Sequence, residues 1–443
     1  MDAVTAGVRR GAFGVTGETH ARLLAGPTED EGPEPWGAHL VRLGPLPTGS
    51  SAASLRRVVH ESGLRGRGGG QFPTAVKLDQ AARASERTGE RALVVVNVSE
   101  GEPASRKDRV LCALRPHLLL DGAEVAARSV GATDVVVYLH RQGRAARALE
   151  HAVAERAASA ASAAVVHLVD APQRYVAGET SAVVSFLGGR AAVPRRTSIP
   201  AAVDGVGGRP TVVGNAETIA HLALIARYGA PWFREVGSPE VPGSTLCTLA
   251  GGVSRVGQVV EVLGQATIGD LLASHGGLGG VPDAVLVGGY AGTWVGGAAA
   301  WSAPVDRAAL RRAGVPLGCG LVAPLAGRCC GIAETARIVE WLAGESAGQC
   351  GPCVSGLPDL ARGLGDLAGG RASRRDVRRL RELAASLRGR GACGHPTGVV
   401  GLVESALETF SVEVAAHVAG RACISTGELS GLPLPLRREE PGS

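Results

Sequence analysis

Three cysteines near the carboxyl end have the spacing of a metal-ligand loop. In "ESAGQCGPC", residues 345–353, Cys350 and Cys353 form a C-x-x-C pair, and Cys393 follows forty residues later in "RGACGHP". Where a C-x-x-C-x-x-C loop would place another thiolate stands Ala347. A tight thiolate loop plus one remote cysteine suits an iron–sulfur cluster. A structural zinc site wants two pairs, and His395 is the nearest substitute for the missing ligand. A redox dithiol would follow a strand and open a helix, whereas this pair lies between two helical patterns. A vestigial site is the remaining reading.

Four other stretches could hold a ligand. "GLRGRGGGQFPTAVK" (63–77) has five glycines in eight residues, so its backbone N–H groups can approach a phosphate or a flat ring. Pro73 then opens a helix on which Lys77 is a candidate phosphate contact. "NVSEGEPASRKDR" (97–109) follows a β-branched run, and in open α/β sheets ligands sit beyond the carboxyl ends of strands. That places Asn97, Glu100 and Glu102. "YVAGETSAVVSFLGG" (175–189) offers Gly178 for close approach and Glu179 at a helix start. "RPTVVGNAETIAHL" (209–222) offers Asn215 and Thr218 at another. Taken singly, each reads equally well as a flexible loop or an ordinary helix cap.

The elements that must position these residues are legible in outline. "ALVVVN" (92–97), "DVVVYL" (134–139) and "AVVHLV" (164–169) predict buried parallel strands, with helices about 117–130 and 144–161 between them. A doubly wound α/β sheet follows. Residues 241–325 predict short strands with one helix at 268–275, a small β-grasp-like module. The uncharged span 284–305 holds five glycines and reads as a strand and loop, not a membrane helix. From 331, apolar residues recur at helical spacing in four segments: 332–342, 357–367, 377–387 and 399–410. This predicts a four-helix bundle whose first and third connections carry the cysteines. The expected division is an N-terminal extended arm (1–48), the α/β domain (49–240), the β-grasp domain (241–325) and the helical domain (326–443).

Composition excludes some functions. Net charge is only +5 with both signs interspersed, which is no nucleic-acid signature. The first 30 residues lack an apolar signal core, so a cytoplasmic location without membrane insertion is expected. Nine cysteines, an odd number, argue for metal or redox use over a disulfide framework. Cys329 and Cys330 are expected to be buried apolar thiols. Of 46 basic residues only Lys77 and Lys107 are lysine, so a compact ammonium is either needed there or falls there by chance.

In this order, the motifs resemble those of the flavoprotein subunit of respiratory complex I and of the diaphorase subunits of NAD-linked hydrogenases and formate dehydrogenases. The family's G-L-R-G-R-G-G-A-G-F-P-T-G-x-K, N-A-D-E-x-E-P-G-T-x-K-D-R, Y-I-C-G-E-E-T-A-L-x-x-S-L-E-G, P-T-V-V-N-N-V-E-T and E-S-C-G-x-C-x-P-C are each matched. The resemblance spans about 50–415. It implies FMN, NAD(H) and a four-iron, four-sulfur cluster, with a ferredoxin, a thioredoxin-like two-iron subunit or a larger redox complex as electron partner. By position, Gly66, Arg67, Gly68, Lys77, Asn97, Glu100, Gly178, Glu179 and Asn215, with Thr218 beside it, would hold the flavin. Phe72, Glu102 and the glycine-rich loop with Gly69 would face NADH. Cys350, Cys353 and Cys393 would hold the cluster. No proton-transfer residue is implied, because the flavin carries the chemistry; Glu100 and Glu102 are the nearest candidates.

The departures are Ala347 for the first cluster cysteine, Ser99 for an Asp, Thr180 for the second Glu of G-E-E-T and Gly214 for an Asn. Gln80 stands for an aromatic whose stacking would be worth about 0.5–1.5 kcal/mol, up to about tenfold in NADH affinity. With a thiolate missing, the cluster is expected as a three-iron form, or as a four-iron form with water, hydroxide or His395 on one iron. Two other functions fit the same residues: a flavin-binding or scaffold relative that has lost its cluster, and a bundle stapled by zinc through Cys350, Cys353, Cys393 and His395.

Overall fold

The β-branched runs form a four-stranded parallel sheet. Its strands are β1 (Leu93–Asn97), β2 (Asp134–Leu139), β3 (Val165–Asp170) and β4 (Thr211–Asn215), in the order β3-β2-β1-β4. The structure is a computed structural model and describes residues 21–159, 163–327, 329–421 and 431–435. Side chains of β1 and β2 alternate between two apolar layers. Val94, Val96, Val135 and Val137 enter one; Leu93, Val95, Val136 and Tyr138 enter the other. Burial on both faces explains why these runs show no polar alternation. β3 departs from the expected burial: it lies at the edge, and Val165 is 57% exposed. β4 is a strand that the sequence reading treated only as a motif.

Helices α1 (Trp36–Leu43), α2 (Ala52–Ser62), α3 (Thr74–Thr88), α4 (Lys107–Leu114), α5 (Pro116–Val130), α6 (Arg144–Ala158), α7 (Thr180–Leu187) and α8 (Ala216–Arg234) surround this sheet. The expected extended arm is corrected over its described part. α1 is helical, and Glu261 accepts the N–H groups of Arg22, Leu23 and Leu24 at 2.9–3.0 Å, fixing that segment to the body. Residues 1–20 lie outside the described residues.

A second sheet follows, in the order β6-β5-β9-β7-β8. Its strands are β5 (Thr245–Leu249), β6 (Gln258–Val262), β7 (Ala284–Val287), β8 (Thr293–Gly296) and β9 (Leu321–Pro324). β5 and β9 are parallel and the other pairs antiparallel. α9 (Ile268–Ser274), α10 (Gly297–Ser302) and α11 (Arg307–Arg312) connect them. Period-two alternation again divides the strands. Val285, Val287 and Val322 pack with α9, whereas Ala284, Leu286, Leu321 and Ala323 join the core of the last helices. Those helices are α12 (Gly331–Gly344), α13 (Leu357–Ala368), α14 (Arg374–Leu387), α15 (His395–Thr409) and α16 (Ser411–Val418). The sequence pattern gave no sign of α16 as a separate helix. The apolar positions read from the sequence, such as Val339, Leu364, Leu380 and Val403, meet in one core.

Candidate functional site

The carboxyl ends of β1 and β4 lie side by side, with Asn97 paired in register to Asn215. The chain leaves β1 toward β2 on one side, whereas β4 is added on the other. This junction is therefore the point where strand order reverses, the usual ligand crevice of an open α/β sheet. Both asparagines are committed to its frame. Asn97 Nδ2 donates to Gly178 O at 2.7 Å, while its Oδ1 accepts from Ser99 N and Oγ at 3.2 and 2.7 Å. Asn215 Oδ1 caps α8 through Glu217 N at 3.1 Å, and Nδ2 donates to Asp108 Oδ2 at 2.6 Å.

Behind Asn215 lies a buried ion cluster that the motifs did not reveal. Lys107 Nζ sits 2.8 Å from both Asp108 Oδ1 and Glu217 Oε2. Burial opposes the ammonium, but the two carboxylates outweigh it and raise its pKa above the usual lysine value. The rarity of lysine in this chain was the one available signal. Lys107 is structural support here, whereas Lys77 is at the crevice.

The glycine-rich loop folds over the junction. Gly66 N–H donates to Phe72 O at 3.0 Å, and Thr74 N–H to Leu64 O at 2.9 Å. Gly68 lies against Asn215, where a Cβ would come within 3.2 Å of the Asn215 Cβ. Lys77 Nζ donates to Val213 O at 2.7 Å, and burial lowers its pKa. Phe72 is 46% exposed at the mouth. Glu179 caps α7 by accepting Ser181 N and Ala182 N.

An inner cavity of about 200 Å³ is lined by Gly66, Gly68, Phe72, Lys77, Asn97, Gly178, Asn215 and Thr218. An outer one of about 940 Å³ shares Phe72, Lys77, Thr180 and Val213 and adds Glu179, Gln80 and Arg190. Four of the expected residues, Arg67, Gly69, Glu100 and Glu102, line neither cavity. Arg67 turns its guanidinium away from the crevice: it is fully buried, donates to Pro242 O at 2.6 Å, and burial beside Arg307 lowers its pKa to about 10. Only its N–H stays at the loop, on Thr218 Oγ1 at 2.8 Å, so Thr218 anchors the loop. Gly69 faces Gly318. Glu100 binds Ser105 and Arg109 within its own loop. Glu102 crosses to the second sheet, where Oε2 accepts Tyr290 N at 2.8 Å. Burial raises its pKa to about 8, against the N–H groups of Tyr290 and Ala104.

The cysteine loop abuts the same crevice. Cys350 and Cys353 Sγ lie 3.6 Å apart; Cys350 precedes a π-helical turn at Pro352–Gly356, and Cys353 lies within it. Cys350 Sγ accepts N–H from Ala392 and Cys353; burial acts against these, but they lower its pKa. Burial raises the pKa of Cys393, whose Sγ accepts His395 N–H. Ala392 lines the outer cavity. Among the described residues no group of three or more His, Cys, Asp or Glu is placed to hold a metal ion. The zinc set is likewise not assembled among them. His395 Nε2 contacts Leu342 O at 2.9 Å, and its Nδ1 is buried without a partner. Cys330 is corrected from an apolar thiol. It caps α12 and lies 3.1 Å from Glu413 Oε2 and 3.3 Å from His417 Nε2.

Residues 59–224 match the Nuo51 FMN-binding domain, and residues 333–417 match the NADH-ubiquinone oxidoreductase-F iron-sulfur binding region. An NADH-quinone oxidoreductase F subunit of Rhizobium meliloti, the copy numbered 2, is 31% identical over 390 residues, which cover 83% of this chain and 89% of that protein. The corresponding F subunit of Mycobacterium tuberculosis is 33% identical over 389 residues, covering 83% and 85%. Among solved structures, an NAD+-reducing NiFe hydrogenase in its H2-reduced state matches with a TM-score of 0.75 and 28% identity. That match covers 83% of this chain and 63% of the hydrogenase chain. The air-oxidised form matches with a TM-score of 0.76 and 26% identity, covering 98% and 74%. With its glycine loop, paired asparagines and cysteine loop in this order, the chain belongs to the family of NADH-quinone oxidoreductase F subunits.

Proposed function

We propose that this chain is an oxidoreductase subunit that moves electrons from NAD(P)H through FMN to an iron–sulfur cluster and on to a partner protein. The observation that carries the reading is the shared wall of the outer cavity. Ala392, whose N–H donates to Cys350 Sγ, lines it together with Phe72, Lys77 and Glu179. Bound FMN supplies the change from hydride to single-electron transfer. The inner and outer cavities, which share Phe72, Lys77, Thr180 and Val213, together leave room for such a group, and a Cβ on Gly70 would meet nothing within 4 Å. Gly66, Gly68, Asn97, Gly178 and Asn215 would hold the flavin through backbone and frame, and Lys77 would supply positive charge to its phosphate. Phe72 would cover the dinucleotide from the mouth.

The fit to a cluster is partial. Cys350 and Cys353 are paired with N–H donors on Cys350, Cys393 stands in the adjacent loop, and Ala347 leaves the family's first position without a thiol. The partner would be a ferredoxin or a thioredoxin-like two-iron subunit. The second sheet with α9 would be a β-grasp domain over 241–325, and α12–α15 a four-helix bundle within 326–443. No helix among the described residues is long and apolar enough to cross a membrane; a cytoplasmic location is part of the proposal.

The test is anaerobic reconstitution with FMN, iron and sulfide, followed by NADH-driven dye reduction. About one FMN per chain and dye reduction are expected; failure to retain flavin would contradict the reading. Ala347 and the lack of a closed ligand set favour one second reading, a flavin protein that has lost its cluster. Flavin without iron or dye reduction would support it.

A further inference from the structure

Among the described residues Gln71 is the only one other than glycine with a left-handed backbone, φ 50°. A side chain is disfavoured there. Gly69, two positions earlier at φ 104°, has none. Gln71 is also buried, 4% exposed, and its carboxamide nitrogen has no hydrogen-bond partner. A buried donor without an acceptor is a second cost at the same residue.

The loop does not need this side chain for its shape. Backbone hydrogen bonds from Gly66 to Phe72 and from Thr74 to Leu64 close it, and the guanidinium of Arg65 reaches Gln71 O at 3.4 Å. Glycine would hold the same turn with less strain. Gln71 is among the residues that line the inner cavity, with Asn97, Gly178 and Asn215, and is not among those of the outer one.

We infer that the Gln71 carboxamide is a hydrogen-bond donor to the bound flavin mononucleotide, and that the left-handed backbone is kept because it carries the amide into the cavity. The inference rests on the flavin reading of this cavity. It makes Gln71 a ligand contact peculiar to this chain's loop, since the motif that the loop resembles has glycine at that place.

The two roles open to Gln71 predict opposite signs for one substitution. In Gln71→Gly, relief of the backbone leaves the thermal midpoint of the flavin-free protein level or higher. Loss of one hydrogen bond raises the Kd for FMN, read by quenching of flavin fluorescence, about three- to tenfold. Gln71→Asn keeps a residue that tolerates this backbone but withdraws the amide by one methylene, so it weakens FMN in the same direction. An FMN Kd unchanged or lower in both variants would overturn the contact. A wild-type protein that takes up no FMN would overturn the flavin reading and the contact together. Normal wild-type uptake with unaffected variants would overturn the contact alone.

Discussion

The β1/β4 crevice and the cysteine loop lie against each other but are built differently. At the crevice each polar group of the frame is fixed by another: Asn97 by Gly178 and Ser99, Asn215 by Asp108 and Glu217, and Asp108 by Lys107. The cysteine loop has one close thiol pair, at 3.6 Å, and a third cysteine that comes from the connection before α15. The first site is preorganised by secondary structure and buried charge. The second is held by short connections between helices and leaves its last step of assembly to the ligand. Flavin binding should therefore survive damage to the cysteine loop, whereas electron delivery should not.

The largest effect expected is loss of iron. Cys350→Ser or Cys353→Ser should leave almost no iron per chain by metal analysis, while FMN content stays within about twofold, because the crevice frame does not use these thiols. Loss of flavin in step with iron would break the comparison. Next is Lys107→Ala, which leaves Asp108 and Glu217 buried without their cation. Removing one partner of a buried pair costs about 3–5 kcal/mol. Denaturant unfolding should show that loss, accompanied by weaker FMN binding, because Asn215 hangs on Asp108.

The third effect is in pH. Burial raises Glu102 to about 8, so the folded state keeps a proton that the unfolded chain releases near 4.5. That stabilisation is complete below the unfolded pKa and is lost as pH rises through the folded one. Over that interval it costs about 1.4 kcal/mol per pH unit. Relative to wild type, Glu102→Gln should flatten the fall in stability between pH 5 and 8; parallel curves would remove Glu102 as the cause. The smallest effect is Phe72→Ala. It should raise the Kd for NADH by up to about tenfold through lost stacking and change the Kd for FMN less, because Phe72 lines both cavities but stands at the mouth.

Much of the crevice was legible because its parts are local. Gly66–Lys77, Asn97, Gly178 and Asn215 stand in short motifs whose backbone demands show in the sequence. What joins them is not local. β4 is a strand whose apolar run is cut short by Gly214, so it does not stand out, yet its register brings Asn215 beside Asn97. Lys107 was marked by its rarity, but its partner Glu217 lies on another element, so the ion pair could not be read. The setting of the Arg67 guanidinium is hidden for the same reason: the carbonyl that accepts from it belongs to Pro242, 175 residues away. Glu102 reads as a ligand-facing residue of its loop, but Tyr290, in the turn between β7 and β8, holds its carboxylate. In the helical domain, spacing alone gave the four main helices, whereas Cys330 met His417 through the separate turn of α16, which continues the α15 pattern without a visible break.

In the proposed function the crevice and the cysteine loop form one electron path. It is tested most directly by adding NADH to the anaerobic, reconstituted protein while recording flavin absorbance and the electron paramagnetic resonance spectrum together. Bleaching of the flavin band is expected and, in the same titration, a reduced iron–sulfur signal that disappears in Cys350→Ser while the bleaching remains. Bleaching with no change in a cluster that chemical reductant can reduce would contradict it.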